Sequence, residues 1–196
     1  MQTFFEQRDH VDYIDLLATA CRTYKVEIWS YCLMPNHVHL IAVPETAEGM
    51  SLAMGQAHCD YARLINERQG WSGRLWQGRF WSTVMDPEHT WQAALYIEQN
   101  PVRAGMVERP EDHPWSSARA HLTGQNDALV RAKPLLDQVG DWRAFLDTAL
   151  PSSALDAIRK STRTGRALAA TDFSKAIEAT TGIRLLPRPR GRPRTR

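Results

Sequence analysis

Between residues 9 and 23 apolar side chains recur three and four positions apart, at Val11, Ile14, Leu17 and Cys21. That spacing predicts an amphipathic helix, with Asp9 placed to cap its start. The rhythm then changes. Residues 24–31 (YKVEIWSY) alternate and are rich in β-branched and aromatic types, and residues 37–43 (HVHLIAV) form a second strand-like run ended by Pro44. Only Met34-Pro35-Asn36 stands clear between them as a turn, so the two predict an antiparallel hairpin. Helical spacing returns at Met50, Met54, Ala57, Tyr61 and Leu64 and stops near Gly70. A Gly- and Trp-rich loop follows and runs into a predicted strand at 79–85. Asp86-Pro87 supplies a capping acid and a proline for the first helical position. The helix it starts should end near Asn100, because the residue before Pro101 is pushed out of the helical region. Beyond Pro114 the pattern is helical but irregular. A linker at 149–153 (ALPSS) precedes a small helical segment at 154–180, and the chain ends in a Pro/Arg stretch that has too few apolar residues to order alone.

Composition adds a constraint and a contrast. The 196 residues are 43% hydrophobic and 23% charged, enough to bury a core without disulfide or metal staples. The net charge of +2 is a sum of unlike parts: RPRGRPRTR, from Arg188 to Arg196, carries five arginines and no acid, while residues 1–187 hold 19 basic and 22 acidic side chains. Arginine outnumbers lysine twenty to four, which fits either genomic base composition or phosphate recognition by the guanidinium fork. No apolar run approaches the ~20 residues of a membrane span. The start, MQTFFEQRDH, lacks the basic and apolar regions of a signal peptide. Cys21, Cys32 and Cys59 show no Cys-x-x-Cys spacing and read as reduced, mostly buried thiols of a cytoplasmic protein.

Two places carry candidate chemistry. On a strand, His37 and His39 point to one face about 6.5–7 Å apart along the chain, so their imidazoles can converge on a divalent ion while Val38 packs behind. The strand is otherwise apolar, and two histidines on one face of it need a reason. On the helix 86–100, Trp91, Ala94 and Leu95 form the apolar stripe, while Gln92, Tyr96 and Asn100 follow one another at four-residue spacing on another face. Tyr96 there is either a half-buried tyrosine satisfied locally or a nucleophile with Asn100 one turn on.

Together, YCLMPNHVHLIAVP, GRLWQGRFWS, YIEQNPVRAGMV and PWSS resemble the single-tyrosine transposases with a His-hydrophobic-His motif, in particular the REP-associated tyrosine transposases of bacteria. The likeness covers roughly residues 1–120 in order and spacing. It implies an α+β fold, a ferredoxin-like antiparallel sheet flanked by helices, with a catalytic domain at 1–120, a helical extension at 121–182 and a basic tail at 183–196. It also implies metal-dependent cleavage and rejoining of single-stranded DNA near hairpins. In that reading His37, His39 and Asn100 hold Mg²⁺ or Mn²⁺ and Tyr96 forms a 5′-phosphotyrosine. Monomers and homodimers both occur in such a family, and no membrane partner is implied. Members usually carry a further strand ahead of the region where this chain opens, beside the histidine strand. Its absence here would mean a start lying upstream, a truncated and inactive domain, or a gap filled by another segment or subunit.

Further residues are candidates for DNA contact. Arg74 and Arg79 stand beside Trp76 and Phe80, either for phosphate contact and base stacking or as a turn whose aromatics cover the sheet. Arg103 could reach DNA or cap its helix. Arg190 and Arg192 lie in PRGRP, with Arg188 just ahead of it; the motif resembles the Arg-Gly-Arg core of minor-groove binders and equally suits non-specific phosphate contact. Arg159, Lys160, Arg163 and Arg166 form a second basic cluster. His58, His89, His113 and His121 read as surface or packing residues. The alternative to an enzyme is a catalytically inactive relative that binds DNA hairpins, and it uses the same basic residues.

Overall fold

The computed structural model describes residues 2–186, which divide into two compact units, 2–80 with 93–149 and 81–92 with 150–186. The fold is α+β. In the first unit, α1 (Gln7–Thr23) leads into the hairpin of β1 (Val26–Met34) and β2 (His37–Pro44), followed by α2 (Gly49–Gln69). The remainder of α3 (Pro87–Glu98) from Ala93 on, α4 (Asn100–Arg103), α5 (Ala118–Thr123), α6 (Lys133–Leu136) and α7 (Trp142–Leu146) complete it. The second unit holds the start of α3, then α8 (Ser152–Thr164) and α9 (Thr171–Thr181).

The first helix starts two residues earlier than its periodicity suggested, and Asp9 sits in its first turn rather than at its cap. Its Oδ2 accepts from the backbone N–H groups of Phe5 (2.7 Å) and Glu6 (3.0 Å), so a buried carboxylate satisfies two donors ahead of the helix. Arg68 of α2 closes on its other oxygen at 2.6 Å. The core between α1, α2 and the hairpin is built on Tyr13, Leu17, Tyr61 and Ile65, all fully buried. Each such side chain contributes about 2 kcal/mol through removal from water.

The hairpin is antiparallel, with Cys32 opposite His39 and Met34 opposite His37. A bulge interrupts the register between Ile28 and Ser30, leaving Trp29 as the extra residue. Before the bulge Val26 and Ile28 join the core; after it Tyr31 and Leu33 do, together with Val38, Leu40 and Ala42 from β2. Ser30, Cys32 and Met34 therefore share the opposite face with Ile41, His39 and His37. The outer edge of β1 is covered: Leu33 N–H donates to Trp115 O, Ser117 N–H to Tyr31 O, and Arg131 N–H to Ile28 O. Among the described residues no strand pairs with the outer edge of β2. Residues 3 and 4 run to the hairpin turn, where both N–H groups donate to Pro35 O.

One predicted strand does not form. Residues 79–84 are irregular, and the only pairing there is a single parallel bridge from Met85 to Leu168. An alternating run makes a strand only when an edge is offered to it, and here the connection before α9 offers one residue. No helix among the described residues is long and apolar enough to cross a membrane.

Candidate active site

The face of the hairpin opposite the core carries the histidine pair. Nε2 of His37 and Nε2 of His39 lie 3.1 Å apart, and the rings meet edge to face. Asn36 Oδ1 is 2.6 Å from Nδ1 of His37. An amide oxygen accepts only, so that contact assigns the ring proton to Nδ1 and leaves Nε2 of His37 as a lone pair. Burial lowers the pKa of His37. It lowers that of His39 to about 4, with repulsion from His37 and Arg103 acting in the same sense. Both rings are therefore neutral at pH 7, the state in which imidazole is a ligand.

Helix α3 brings Tyr96 to this pair. Asp86 starts the helix as its sequence suggests, with Oδ1 accepting from the N–H of His89 at 2.9 Å. The ring of Tyr96 stands edge-on to His39 with centroids 5.8 Å apart. Arg103 lies over the other part of the ring, its guanidinium carbon 4.2 Å from the centroid, and also donates to Tyr96 O. The helical path turns at Gln99, because Pro101 has no N–H to continue the ladder, and resumes as α4. Asn100 is the first residue of α4; its Nδ2 is buried with no hydrogen-bond partner. Among the described residues no three His, Cys, Asp or Glu side chains gather as a metal-binding group.

The opposite side of α3 holds a residue that sequence reasoning missed. Glu98 is fully buried. Its Oε1 accepts from Ser117 Oγ (2.5 Å) and His121 Nδ1 (2.6 Å), and its Oε2 from Trp142 Nε1 (2.9 Å). Ser30 of β1 adds a longer bond of 3.4 Å, and the His121 ring stacks on Trp142. The signal was present: Glu98 continues the stripe of Trp91, Ala94 and Leu95 at i+7, i+4 and i+3, and a carboxylate on an apolar stripe requires partners. His121 is thus a packing residue with a specific hydrogen-bonding role, and the second serine of PWSS serves the same carboxylate.

The other candidates are dispersed. Arg74 and Arg79 are exposed. Trp76 is engaged within the first unit: its ring stacks on His58 at 4.2 Å and its Nε1 donates to His58 O at 3.0 Å. Arg188, Arg190 and Arg192 lie outside the described residues.

Comparison with known proteins bears on the same segments. The family described as Transposase IS200 like matches over residues 2–100. A protein of Haemophilus influenzae that carries the provisional name REP-associated tyrosine transposase is 28% identical over 121 residues, covering 54% of this chain and 69% of that protein. No solved structure matches the chain.

Proposed function

The chain belongs to the family of IS200-like transposases, and from that premise we propose that it cuts and rejoins single-stranded DNA near hairpins, with Tyr96 as nucleophile. The observation that carries this reading is the meeting of Tyr96 with the His37–His39 pair, two elements far apart in sequence.

The donor set fits a divalent ion. The two imidazole nitrogens lie 3.1 Å apart, neutral, with one lone pair assigned, so both would be able to reach a single ion. The orphaned amide of Asn100 supplies an oxygen if its two ends are exchanged, since amide O and N are assigned from their partners. His37, His39 and Asn100 are then the residues that would hold Mg²⁺ or Mn²⁺. Such an ion supplies Lewis-acid polarisation of the scissile phosphate. Two imidazoles are borderline ligands for so hard an ion, so weak affinity and good activity with Mn²⁺ are expected.

The protein's own groups do the rest. Tyr96 Oη attacks phosphorus in line, the bond to the 3′ oxygen breaks, and that oxygen leaves as a hydroxyl after taking up a proton. The product is a 5′-phosphotyrosine, and attack on it by a second 3′-hydroxyl restores a phosphodiester without ATP. Arg103, stacked on the ring and donating to Tyr96 O, holds the phenol in place beside His39. Asn36 keeps the His37 tautomer. We assign this chemistry to residues 1–120, with 121–182 and the basic tail as accessory DNA-binding parts. Arg74, Arg79 and the tail arginines Arg188, Arg190 and Arg192 are assigned to phosphate contact.

The test is a covalent adduct. Labelled single-stranded DNA bearing a hairpin is incubated with the protein and Mn²⁺ and run on a denaturing gel. A retarded band with the wild type, and none with Tyr96→Phe, is the expected result. An equal band in the mutant removes Tyr96 from its role. No band in either, with tight binding kept, identifies an inactive hairpin binder.

A further inference from the structure

In the second unit one aromatic side chain is left without a packing role. Trp81 is 75% exposed, and no ring among the described residues contacts it. An indole in water leaves a large apolar face uncovered. Its backbone is nonetheless anchored. Thr83 Oγ1 donates to Ser161 O of α8 at 3.4 Å, and Leu168 N–H donates to Val84 O at 2.8 Å. Asp86 completes the tie by accepting from Ala170 N–H through Oδ2 at 2.7 Å. The Trp81 ring lies along Gly165, the left-handed cap of α8, where an added Cβ would stand 3.8 Å from Cε3.

That corner is basic. The sequence of α8 buries Ile158 and Ser161 on one side and exposes Arg159, Lys160 and Arg163 on the other. Arg166 follows Gly165 directly and is exposed too. Arg159 reaches Asp156 only at 4.0 Å. Lys160, Arg163 and Arg166 have no carboxylate partner among the described residues. An anchored, uncovered indole flanked by unpaired cations is the combination that receives an unstacked base between two phosphates.

We propose that this corner of the second unit is a binding site for single-stranded DNA, with Trp81 stacking on a base and Lys160, Arg163 and Arg166 neutralising the neighbouring phosphates. A paired base has both faces covered by its neighbours, so the exposed ring selects the single strand over the duplex. The choice of DNA over RNA rests on the transposase reading above; the site itself does not.

The experiment uses the full chain, a fluorescent oligo(dT) with no hairpin, and EDTA, so that neither a metal nor Tyr96 chemistry enters. Anisotropy titrations should show Trp81→Ala binding about tenfold more weakly, within the range measured for loss of one stacked base. Trp81→Phe should recover most of that loss. Arg163→Gln with Arg166→Gln should reduce the slope of log affinity against log salt by about 1.4, two phosphates at ~0.7 each. Unchanged affinity in Trp81→Ala, with or without an effect of the arginine pair, would overturn the site as drawn. Tighter binding of oligo(U) than of oligo(dT) would overturn the choice of DNA. Melting curves of each variant should match the wild type, because Trp81 and both arginines are exposed. A missing covalent adduct in the hairpin assay would strike the nucleophile and leave these titrations to stand on their own.

Discussion

Tyr96 and Glu98 stand two residues apart on α3 and meet opposite conditions. Around Tyr96 are the edge of the neutral His39 imidazole, itself facing that of His37, and a cation over the ring. Around Glu98 both carboxylate oxygens accept hydrogen bonds, from Ser117, His121, Trp142 and Ser30 in three different parts of the chain. The difference shows how one helix serves two purposes. The buried carboxylate holds α3 against β1, α5 and α7, and the other face of the helix presents Tyr96 to the histidine strand.

The sharpest way to break that comparison is on the Tyr96 side. His37→Ala or His39→Ala should lower adduct formation by about 10³ or more, while urea unfolding shifts by no more than about 1 kcal/mol. A large loss of stability instead would mean that the pair is structural. Glu98→Ala should do the converse and cost about 3–5 kcal/mol in urea unfolding, because the imidazole, the indole and Ser117 all lose their acceptor in a buried place. A cost under 1 kcal/mol would show that water replaces the carboxylate and that the network does not hold the helix.

Acid provides a third, smaller comparison. Burial lowers the His58 pKa from 6.5 to about 4. Between those values the unfolded chain takes up the proton first, so this contribution is whole above pH 6.5 and is lost as pH falls toward 4. His58→Phe should flatten the stability profile across that window by about 1.4 kcal/mol per pH unit; an unchanged slope would assign the acid sensitivity to His39. The smallest effect is expected from Arg103→Ala, about 0.5–1 kcal/mol for an exposed cation over a ring, read as a shift in the urea midpoint.

Much of the fold was legible because its long elements are periodic. The spacing of Leu17 and Cys21, or of Met54, Ala57 and Tyr61, follows one helical face, and the Met34-Pro35-Asn36 turn leaves the hairpin one register to adopt. The His37 and His39 candidates were visible because they break an apolar strand, and Tyr96 because it stands between Gln92 and Asn100 on a polar helical face. Glu98 breaks one as well, yet its partners come from residues 30, 117, 121 and 142, and no local spacing announces such a meeting. The strand expected at 79–85 failed for the same reason: alternation describes a segment, and pairing depends on what lies beside it. Trp76 and Trp81 illustrate the limit. They share one Gly- and Trp-rich stretch; one ring is stacked on His58 and the other is open to water, and composition could not separate them.

The bulge at Trp29 sets the phase of the whole hairpin. With it, Val26 and Ile28 point inward while Ser30 and Cys32 share the face of the histidines. Deleting that single residue would remove the bulge and leave Ile28 opposite Ala42 and Ser30 opposite Ile41 in regular alternation, whereas inserting one more residue would turn Val26 and Ile28 onto the histidine face, emptying the core behind. The strand should therefore accept many side chains at position 29 and even the loss of that residue, but not a further residue, so that deletions and insertions at one site part company. A library scoring both at position 29 would read this directly, with folded protein recovered from the deletion and lost from the single-residue insertions.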